Sequence, residues 1–353
     1  MLRKLIACVL SIILLFTSGS PLLVSISALD STIESDMLAY DHTYPISRES
    51  IYWDDYTVEE KVEMLRIPSD KLERMTDEAL VNAIAEYPYL IDIYLYGSSV
   101  ADGIEVSRSY FSALDELLSR NTASESLTKY GLTIANNYYA SYNRSSAERD
   151  SHDLFVGSAL LDIYEYVNDS VSATYMDETV VNGSYIALDN VSRSTDSQVE
   201  FWIITETHTE AEHDAKDQEI LDTYAVTLLS RGSCRYNCHS YAWYSQSASN
   251  PYWINDPTPY MDSGIYVRTY NGGIGTPSSS TSVRAGDIIF YGDVNGDGNT
   301  WHSAIYITQT NSGIPLASQR CVSKWGMLGV FEHSIGNVPA GYDKSIISAW
   351  REV

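Results

Sequence analysis

The chain has 353 residues and carries 47 acidic against 22 basic side chains, which gives a net charge of −25 at pH 7. An acidic surface of this strength repels nucleic acid and anionic membranes, so we expect neither as a partner. The charge suits a freely secreted protein, and solubility alone also explains it.

The N-terminus has the pattern of a secretory signal peptide over residues 1–28. Arg3 and Lys4 supply the positive start, Leu5 to Phe16 is an apolar run, and the small residues before Asp30 offer a cleavage point. The apolar run is short for a spanning helix, and no later segment is long and apolar enough to cross a bilayer. We expect Gram-positive-like export to the outside of the cell and no stable membrane insertion. An uncleaved N-terminal anchor is the alternative.

Residues 29–170 are predicted to form a helical module. Thr57 and Glu60 have the spacing of a capping box, and Thr76 caps a second helix. Apolar residues at helical spacing predict further helices over Ile104–Ser119 and Leu154–Val167. The module contains no nucleophile, metal cluster or phosphate loop, so we interpret it as a scaffold or as a docking site for a protein partner. Its segment 64–96 resembles a helical segment of secreted proteins from Gram-positive bacteria.

Residues 171–353 are predicted to form a second domain with a core at 230–353. The turn Asn182-Gly183 separates two strands, and a helix over Thr209–Leu229 leads to the segment around Cys238. A long aromatic connection, Asn250–Ser280, has the character of a lid or groove wall. The remainder is predicted as strands at Gly286–Tyr291, His302–Thr308, Leu316–Ser323, Val330–His333 and Ser345–Trp350.

Three cysteines remain after removal of the predicted signal peptide: Cys234, Cys238 and Cys321. Unpaired thiols are unusual outside the cell, and an odd number leaves one thiol free. We expect a disulfide between Cys234 and Cys321, which leaves Cys238 reduced, although the sequence alone does not fix the pairing.

Cys238 is the candidate nucleophile and His302 the candidate base. Cys238 stands where a loop enters a predicted helix, a position that would lower the thiol pKa from about 8.5 toward neutrality. His302 is the first residue of the predicted apolar strand His302–Thr308 and would be held rigidly there. His239 would point away from the sulfur, because neighbouring helical residues do not share a face; a second imidazole at the site is the alternative. A buried structural cysteine and a strand histidine in the core are the non-catalytic interpretations.

The order of these elements resembles the NlpC/P60 and CHAP group of papain-like cysteine hydrolases. A cysteine-bearing helix is followed by the Gly-Asp strand Ala285–Tyr291 and then by the strand that begins at His302. The resemblance covers the core at 230–353 and not the helical part. The group usually has Asp-Cys-Ser-Gly at the nucleophile, whereas this chain has Asn237-Cys238-His239-Ser240, which places it in a divergent branch.

The group also places a polar residue on the next strand, where it orients the imidazole. The matching stretch is Arg320–Gly326, and the resemblance points to Ser323, with Lys324 and Gln319 as alternatives. A serine can accept a hydrogen bond from an imidazole N–H, whereas a charged lysine cannot.

The resemblance implies an α+β fold, in which the helical module precedes a papain-like domain whose nucleophile-bearing helix packs on an antiparallel sheet. It implies a secreted cysteine amidase or endopeptidase that cleaves peptide or isopeptide bonds, in substrates such as bacterial cell-wall peptidoglycan, through a thioester and without a cofactor. Two alternatives stay open: a non-catalytic binding or effector module on the same fold, and a thioester acyltransferase that uses an amine as acceptor.

Two segments resemble metal sites. The first, at His208–His213, does not match His-Glu-x-x-His and is interpreted as a solvated helix start. The second, which begins at Asp293, has the opening of a calcium loop but Ala304 at the twelfth position. We therefore expect no metal, and a hairpin turn at the second segment, with calcium as its alternative. The residues are His208, Glu210, Glu212 and His213 in the first segment and Asp293, Asn295 and Asp297 in the second.

Overall fold

The computed structural model describes most of the chain beyond residue 41. The predicted signal peptide, the turn Asn182-Gly183 and the centre of the calcium-like loop lie outside the described residues. None of the helices in the described part has the length and apolarity of a membrane span. The described residues are 42–97, 99–142, 151–168, 184–187, 198–204, 206, 208–275, 282–294, 298–308 and 313–353.

The described part of the first half of the chain is helical. The predicted capping box is confirmed: Glu60 N donates to Thr57 Oγ1 at 3.2 Å, and Thr57 N donates to the Glu60 carboxylate at 2.8 Å. Thr76 also caps a helix as predicted, by accepting from Ala79 N at 3.1 Å. The α-helices are α1 (Val58–Leu65), α2 (Ser69–Leu72), α3 (Asp77–Ala85), α4 (Val100–Arg108), α5 (Ser112–Ser119), α6 (Ala123–Ser126), α7 (Leu132–Tyr142) and α8 (Ser151–Val167), and a 3₁₀ turn spans Leu90–Tyr94.

The prediction of one helix over Ile104–Ser119 is wrong, because the chain breaks between α4 and α5. Phe111 leaves the helical conformation, with φ of −96° and ψ of 85°. Its ring stacks on Tyr87 with centroids 3.7 Å apart, and the hydroxyl of Tyr110 donates to Asp92 at 2.8 Å. Burial of two aromatic side chains therefore outweighs the regular helical pattern.

The second half of the chain builds a seven-stranded sheet in which all strand pairs are antiparallel, so the fold is α+β. The strand order is β3-β8-β7-β6-β5-β9-β4. The strands are β3 (Thr227–Ser230), β4 (Tyr266–Gly272), β5 (Ile288–Tyr291), β6 (His302–Tyr306), β7 (Arg320–Lys324), β8 (Val330–Ser334) and β9 (Ile347–Glu352); β1 (Ser184–Ala187) and β2 (Gln198–Phe201) pair separately.

Three elements of the second half differ from their predictions. The strand predicted over Leu316–Ser323 begins only at Arg320, because Leu316–Ser318 forms a 3₁₀ turn. Helix α9 (Glu210–Thr223) ends earlier than Leu229, because residues 227–230 pair with β8 as an edge strand. The aromatic connection also contains structure of its own, a short helix α10 (Thr258–Asp262) and strand β4. Every residue of β4 is half-buried or exposed, which is why the segment lacks the pattern of a buried strand.

The helices and the sheet share one apolar core, and their backbones are tied together near its centre. Tyr342 Oη donates to the Leu95 carbonyl at 2.6 Å, and Gly341 N donates to Tyr96 Oη at 2.9 Å. The rings of Tyr96 and Tyr342 pack edge to face at 5.1 Å. The helical residues therefore contribute directly to the environment of the sheet, and the division at residue 170 stays a prediction.

Candidate active site

Cys238 lines a cleft of about 320 Å³. His239 and Asn255 also line it, and Trp301 comes from the loop before β6. Leu95 and Gly97, which follow the 3₁₀ turn of the helical half, complete the cleft. Both halves of the chain thus contribute to the cleft that contains the predicted nucleophile.

Asn237 fixes the start of the nucleophile segment. Its Oδ1 accepts from Ser240 N at 3.0 Å and so caps the turn, while its Nδ2 donates to the Ile254 carbonyl at 2.6 Å. The helix expected after Cys238 is a short π-helical turn at Ser240–Tyr244 that packs on β6 and β7. The side-chain amide of Asn237 therefore joins this turn to the segment around Ile254.

The thiol of Cys238 is buried, and burial raises its pKa to about 11. Hydrogen bonds from the backbone amides of Ser303 and His239 to the sulfur act in the opposite direction without reversing the effect. The expectation of an exposed thiolate with a lowered pKa is therefore wrong for this conformation, because loss of hydration outweighs the local donors. At neutral pH the group is a thiol with amide donors already aimed at its sulfur.

A serine hydroxyl joins the predicted base to a second histidine. Ser323 Oγ lies 3.0 Å from His302 Nε2 and 2.6 Å from His333 Nε2, and Trp325 Nε1 donates to it at 2.9 Å. His333 Nδ1 lies 2.9 Å from the Ser334 carbonyl and must donate to it, so His333 Nε2 is an acceptor. The single hydroxyl proton of Ser323 goes to His333, which leaves its lone pairs for Trp325 and for a proton on His302 Nε2.

This network places the lone pair of His302 on Nδ1. That atom is buried and has no hydrogen-bond partner among the described residues. Burial, with His333 and His239 nearby, holds the pKa of His302 well below its usual range, so the ring is neutral. No hydrogen bond joins Cys238 Sγ to this ring in the described structure, although the sulfur contacts the amide of Ser303, the next residue along the strand.

The ring of His302 is also held from one side by stacking. Tyr342 lies parallel to it, with centroids 4.3 Å apart and an interplanar angle of 18°. Tyr342 donates to the Leu95 carbonyl, so the residue that stacks on the candidate base is hydrogen-bonded to the helical half.

Neither alternative to Ser323 contacts His302. Side chains alternate between the two faces of a strand, so Lys324 points away from Ser323 and donates to the carbonyls of Ser233, Gly326 and Leu328. Gln319 accepts from Tyr306 Oη and donates to the Ile314 carbonyl at 2.8 Å. Both side chains therefore stabilise loops and not the imidazole.

Sequence reasoning missed three residues around the candidate base: His333, Trp325 and Tyr342. His333 stands opposite Cys321 in the β7–β8 register, so a hairpin alignment of these two strands would have placed it on the face of Ser323. Trp325 is two residues beyond Ser323, a same-face spacing that could also have been noticed. Tyr342 lies in an irregular segment, and no sequence pattern points to it.

The predicted disulfide between Cys234 and Cys321 is wrong, because Cys234, Cys238 and Cys321 are all free and buried. The two sulfurs face different imidazoles. Cys321 Sγ lies 3.5 Å from His333 Nδ1 in the core of the sheet, whereas Cys234 Sγ lies 3.2 Å from His208 Nδ1 near the start of α9. His213 is buried rather than solvated at that helix start, contrary to expectation.

Comparison of the chain with protein-family models, with curated proteins and with solved structures finds no match. The resemblance to papain-like hydrolases therefore depends on the order of the residues around Cys238 and His302.

Proposed function

We propose that this chain is a secreted cysteine amidase or endopeptidase in which Cys238 is the nucleophile and His302 the base. The observation that carries the proposal is the hydrogen-bond network that protonates His302 on Nε2 and leaves Nδ1 bare. A neutral imidazole with a bare nitrogen, one residue from the amide that contacts the Cys238 sulfur, has the chemistry of a general base. Its papain-like fold is part of the same proposal.

The reaction begins when the thiol proton moves to His302 Nδ1 as the sulfur attacks an amide carbonyl in the cleft. Because the Cys238 pKa is about 11 and the imidazole is held neutral, the resting pair is uncharged and proton transfer accompanies attack. The C–N bond breaks as His302 returns the proton to the leaving amine, and a thioester forms. A water molecule, deprotonated by the same nitrogen, then hydrolyses the thioester and releases the acid and the thiol.

Asn255 and the Cys238 amide are the donors proposed for the oxyanion. The Oδ1 atom of Asn255 accepts from Trp253 Nε1 at 2.7 Å, which leaves its Nδ2 as the donor on a residue of the cleft wall. A fixed amide donor at this place would stabilise the negative charge that develops on the carbonyl oxygen.

The cleft supports a peptide as substrate better than an anionic polymer. Polar side chains line it, among them those of Asn255, Asp256 and Asn299. The net charge of −25 opposes binding to anionic wall polymers. Peptide or isopeptide bonds, such as those of cell-wall stem peptides, are the bonds that the resemblance implies.

A non-catalytic binding module is the second candidate, and a specific observation favours it. The thiol of Cys238 is buried and protonated, and it makes no hydrogen bond to His302 in the described structure. A cleft of this kind could hold a peptide without cleaving it.

Turnover of peptides and of purified peptidoglycan by wild type, Cys238→Ala and Cys321→Ser distinguishes these functions. The readout is the release of new amino groups, identified by mass spectrometry. If Cys238 is the nucleophile, the turnover rate should fall by at least about 10³-fold in Cys238→Ala. The rate should stay near normal in Cys321→Ser, because Cys321 is a buried thiol that does not line the cleft. Equal turnover in wild type and Cys238→Ala would exclude Cys238 as nucleophile. Binding of the same peptides without turnover by the wild type would select the binding module.

A further inference from the structure

Four side chains of metal-binding types converge at the start of α9. They are Glu206, His208, His213 and Cys234, and one donor atom from each lies within 4.8 Å of all the others. His213 and Cys234 are buried, and the other two are partly buried. The cluster contains neither Cys238 nor His302 and is separate from the chemistry proposed above.

The size of this cluster matches a tetrahedral zinc site. Bond lengths of about 2.3 Å to sulfur and about 2.0–2.2 Å to nitrogen or oxygen place the donors of such a site roughly 3.4–3.6 Å from one another. Cys234 Sγ lies 3.2 Å from His208 Nδ1, and His213 Nε2 lies 2.8 Å from Glu206 Oε1. The remaining separations stay within 4.8 Å, so small side-chain rotations would equalise the donor distances around an ion.

The local fold explains why these four residues meet and why their acidic neighbours do not join them. Thr209 begins α9 with a capping box, in which it accepts from Glu212 N at 3.3 Å. Glu212 is thereby used as a cap, and Glu210 pairs with the exposed Arg231. Glu206 instead turns inward, where its Oε2 accepts from Cys234 N at 3.0 Å.

The charges in this part of the core also favour a divalent cation. A thiolate and a carboxylate together neutralise Zn²⁺, while the two imidazoles bind as neutral ligands. The buried side chain of Lys216 lies nearby and interacts with the carboxylate of Asp162, which belongs to α8, and also with Glu206 and Cys234. A filled site would therefore add no uncompensated charge to the core.

We propose that Glu206, His208, His213 and Cys234 bind one Zn²⁺ as a closed structural site. Four protein ligands leave no open coordination position, so the ion would stabilise the fold and would not act on substrate. It would join the segment before α9, the helix itself and the loop at Cys234, four residues before Cys238. The metal would thus restrain the loop that leads to the nucleophile.

Metal content and cobalt spectroscopy of the full chain test this proposal without any activity assay. Wild type loaded with zinc and then dialysed is expected to retain about one zinc per chain. Cobalt(II) in the same site is expected to give the visible bands of a tetrahedral ion and a thiolate-to-cobalt charge-transfer band. Cys234→Ser should abolish the charge-transfer band, and His213→Gln should lower metal affinity by at least about tenfold.

Cys321→Ser and Glu210→Gln are the matched controls, one a buried thiol and the other an acid at the same helix start, and both should keep the metal and the spectrum. If a ligand variant does not fold, the wild-type cobalt spectrum and the drop in melting temperature on chelation still decide the question. A wild-type chain that retains no zinc, or a cobalt spectrum without the thiolate band, would overturn the proposal. Either result leaves the hydrolase proposal untouched, because the two sites share no residue.

Discussion

His302 Nε2 donates to Ser323 Oγ over 3.0 Å, and this bond decides which nitrogen of the ring carries the lone pair. A hydroxyl in this position orients an imidazole but, unlike a carboxylate, brings no negative charge to stabilise a protonated ring. The surroundings agree with this, since burial and the neighbouring His333 lower the His302 pKa. A base that stays neutral at rest follows from both facts.

Ser323→Ala removes the acceptor of His302 Nε2 and the donor to His333, so we expect it to lower kcat. Without the hydroxyl, either nitrogen of His302 can carry the proton, so the tautomer with an unprotonated Nδ1 is no longer fixed. A loss of about 10–10²-fold in kcat with a smaller change in KM is the expected result. Three buried polar groups lose their partner at once, so the free energy of unfolding should also fall by about 1–3 kcal/mol.

Cys321→Ala is the control for Ser323→Ala. Cys321 lies on the same strand and face and contacts His333, but it does not contact His302. Steady-state kinetics and urea unfolding of both variants separate the two roles of Ser323. If both variants lose stability equally and only Ser323→Ala loses kcat, the positioning role stands; an unchanged kcat in Ser323→Ala would reject it.

Alkylation of Cys238 by iodoacetamide should follow the titration of a buried thiol. Because burial raises the pKa to about 11, the rate in the free protein is expected to climb steadily with pH from neutrality and to level off only near that value. Peptide mapping by mass spectrometry assigns the label to each cysteine, with Cys238→Ala as the blank. A rate that is already maximal at neutral pH would instead reveal a thiolate–imidazolium pair in solution.

Local patterns predicted the parts of the structure that depend on nearby residues. Thr57 and Glu60 form their capping box because both partners lie within one helical turn. The resemblance to papain-like hydrolases pointed to Ser323, a serine can accept where a charged lysine cannot, and Ser323 does contact His302. The same resemblance implied the antiparallel sheet on which the nucleophile turn packs.

Features that depend on distant residues could not be predicted in the same way. The stacking of Tyr342 on His302 requires the helical half to lie beside the sheet, which no local period reveals. The thiol pKa of Cys238 depends on how completely the surrounding segments exclude water. The disulfide prediction for Cys234 is wrong for the same reason. Counting cysteines identifies candidates for a disulfide but does not show which histidine lies beside each sulfur.

Substitution of Tyr342 tests whether its ring orients His302. Tyr342→Phe keeps the ring that stacks at 4.3 Å and loses only the bond to the Leu95 carbonyl, so kcat should change by less than about threefold. Tyr342→Leu removes the stack, and kcat should fall by about tenfold or more as the ring gains freedom. Comparable kcat values for the two variants would mean that the stack does not orient the base; thermal unfolding of each variant provides the control for folding.

Asp92 should make the protein less stable as pH rises through neutrality. It is fully buried, and burial raises its pKa from 3.8 to about 7 although hydroxyls of Tyr224, Tyr110 and Tyr96 donate to it. A carboxyl whose folded pKa is raised binds its proton more tightly when folded. Its stabilising contribution is therefore complete below pH 3.8 and is lost as pH rises to about 7.

The difference in unfolding free energy between wild type and Asp92→Asn isolates this contribution. Buried neutral histidines such as His302 and His333, whose pKa values are lowered, favour the folded state at higher pH, but they are present in both proteins and cancel in the difference. Between about pH 4 and about pH 8, wild type should lose on the order of 4 kcal/mol relative to Asp92→Asn. Urea unfolding at several pH values measures the difference, with the exposed Asp70→Asn as control. Parallel curves for wild type and Asp92→Asn would mean that folding does not raise the pKa of Asp92.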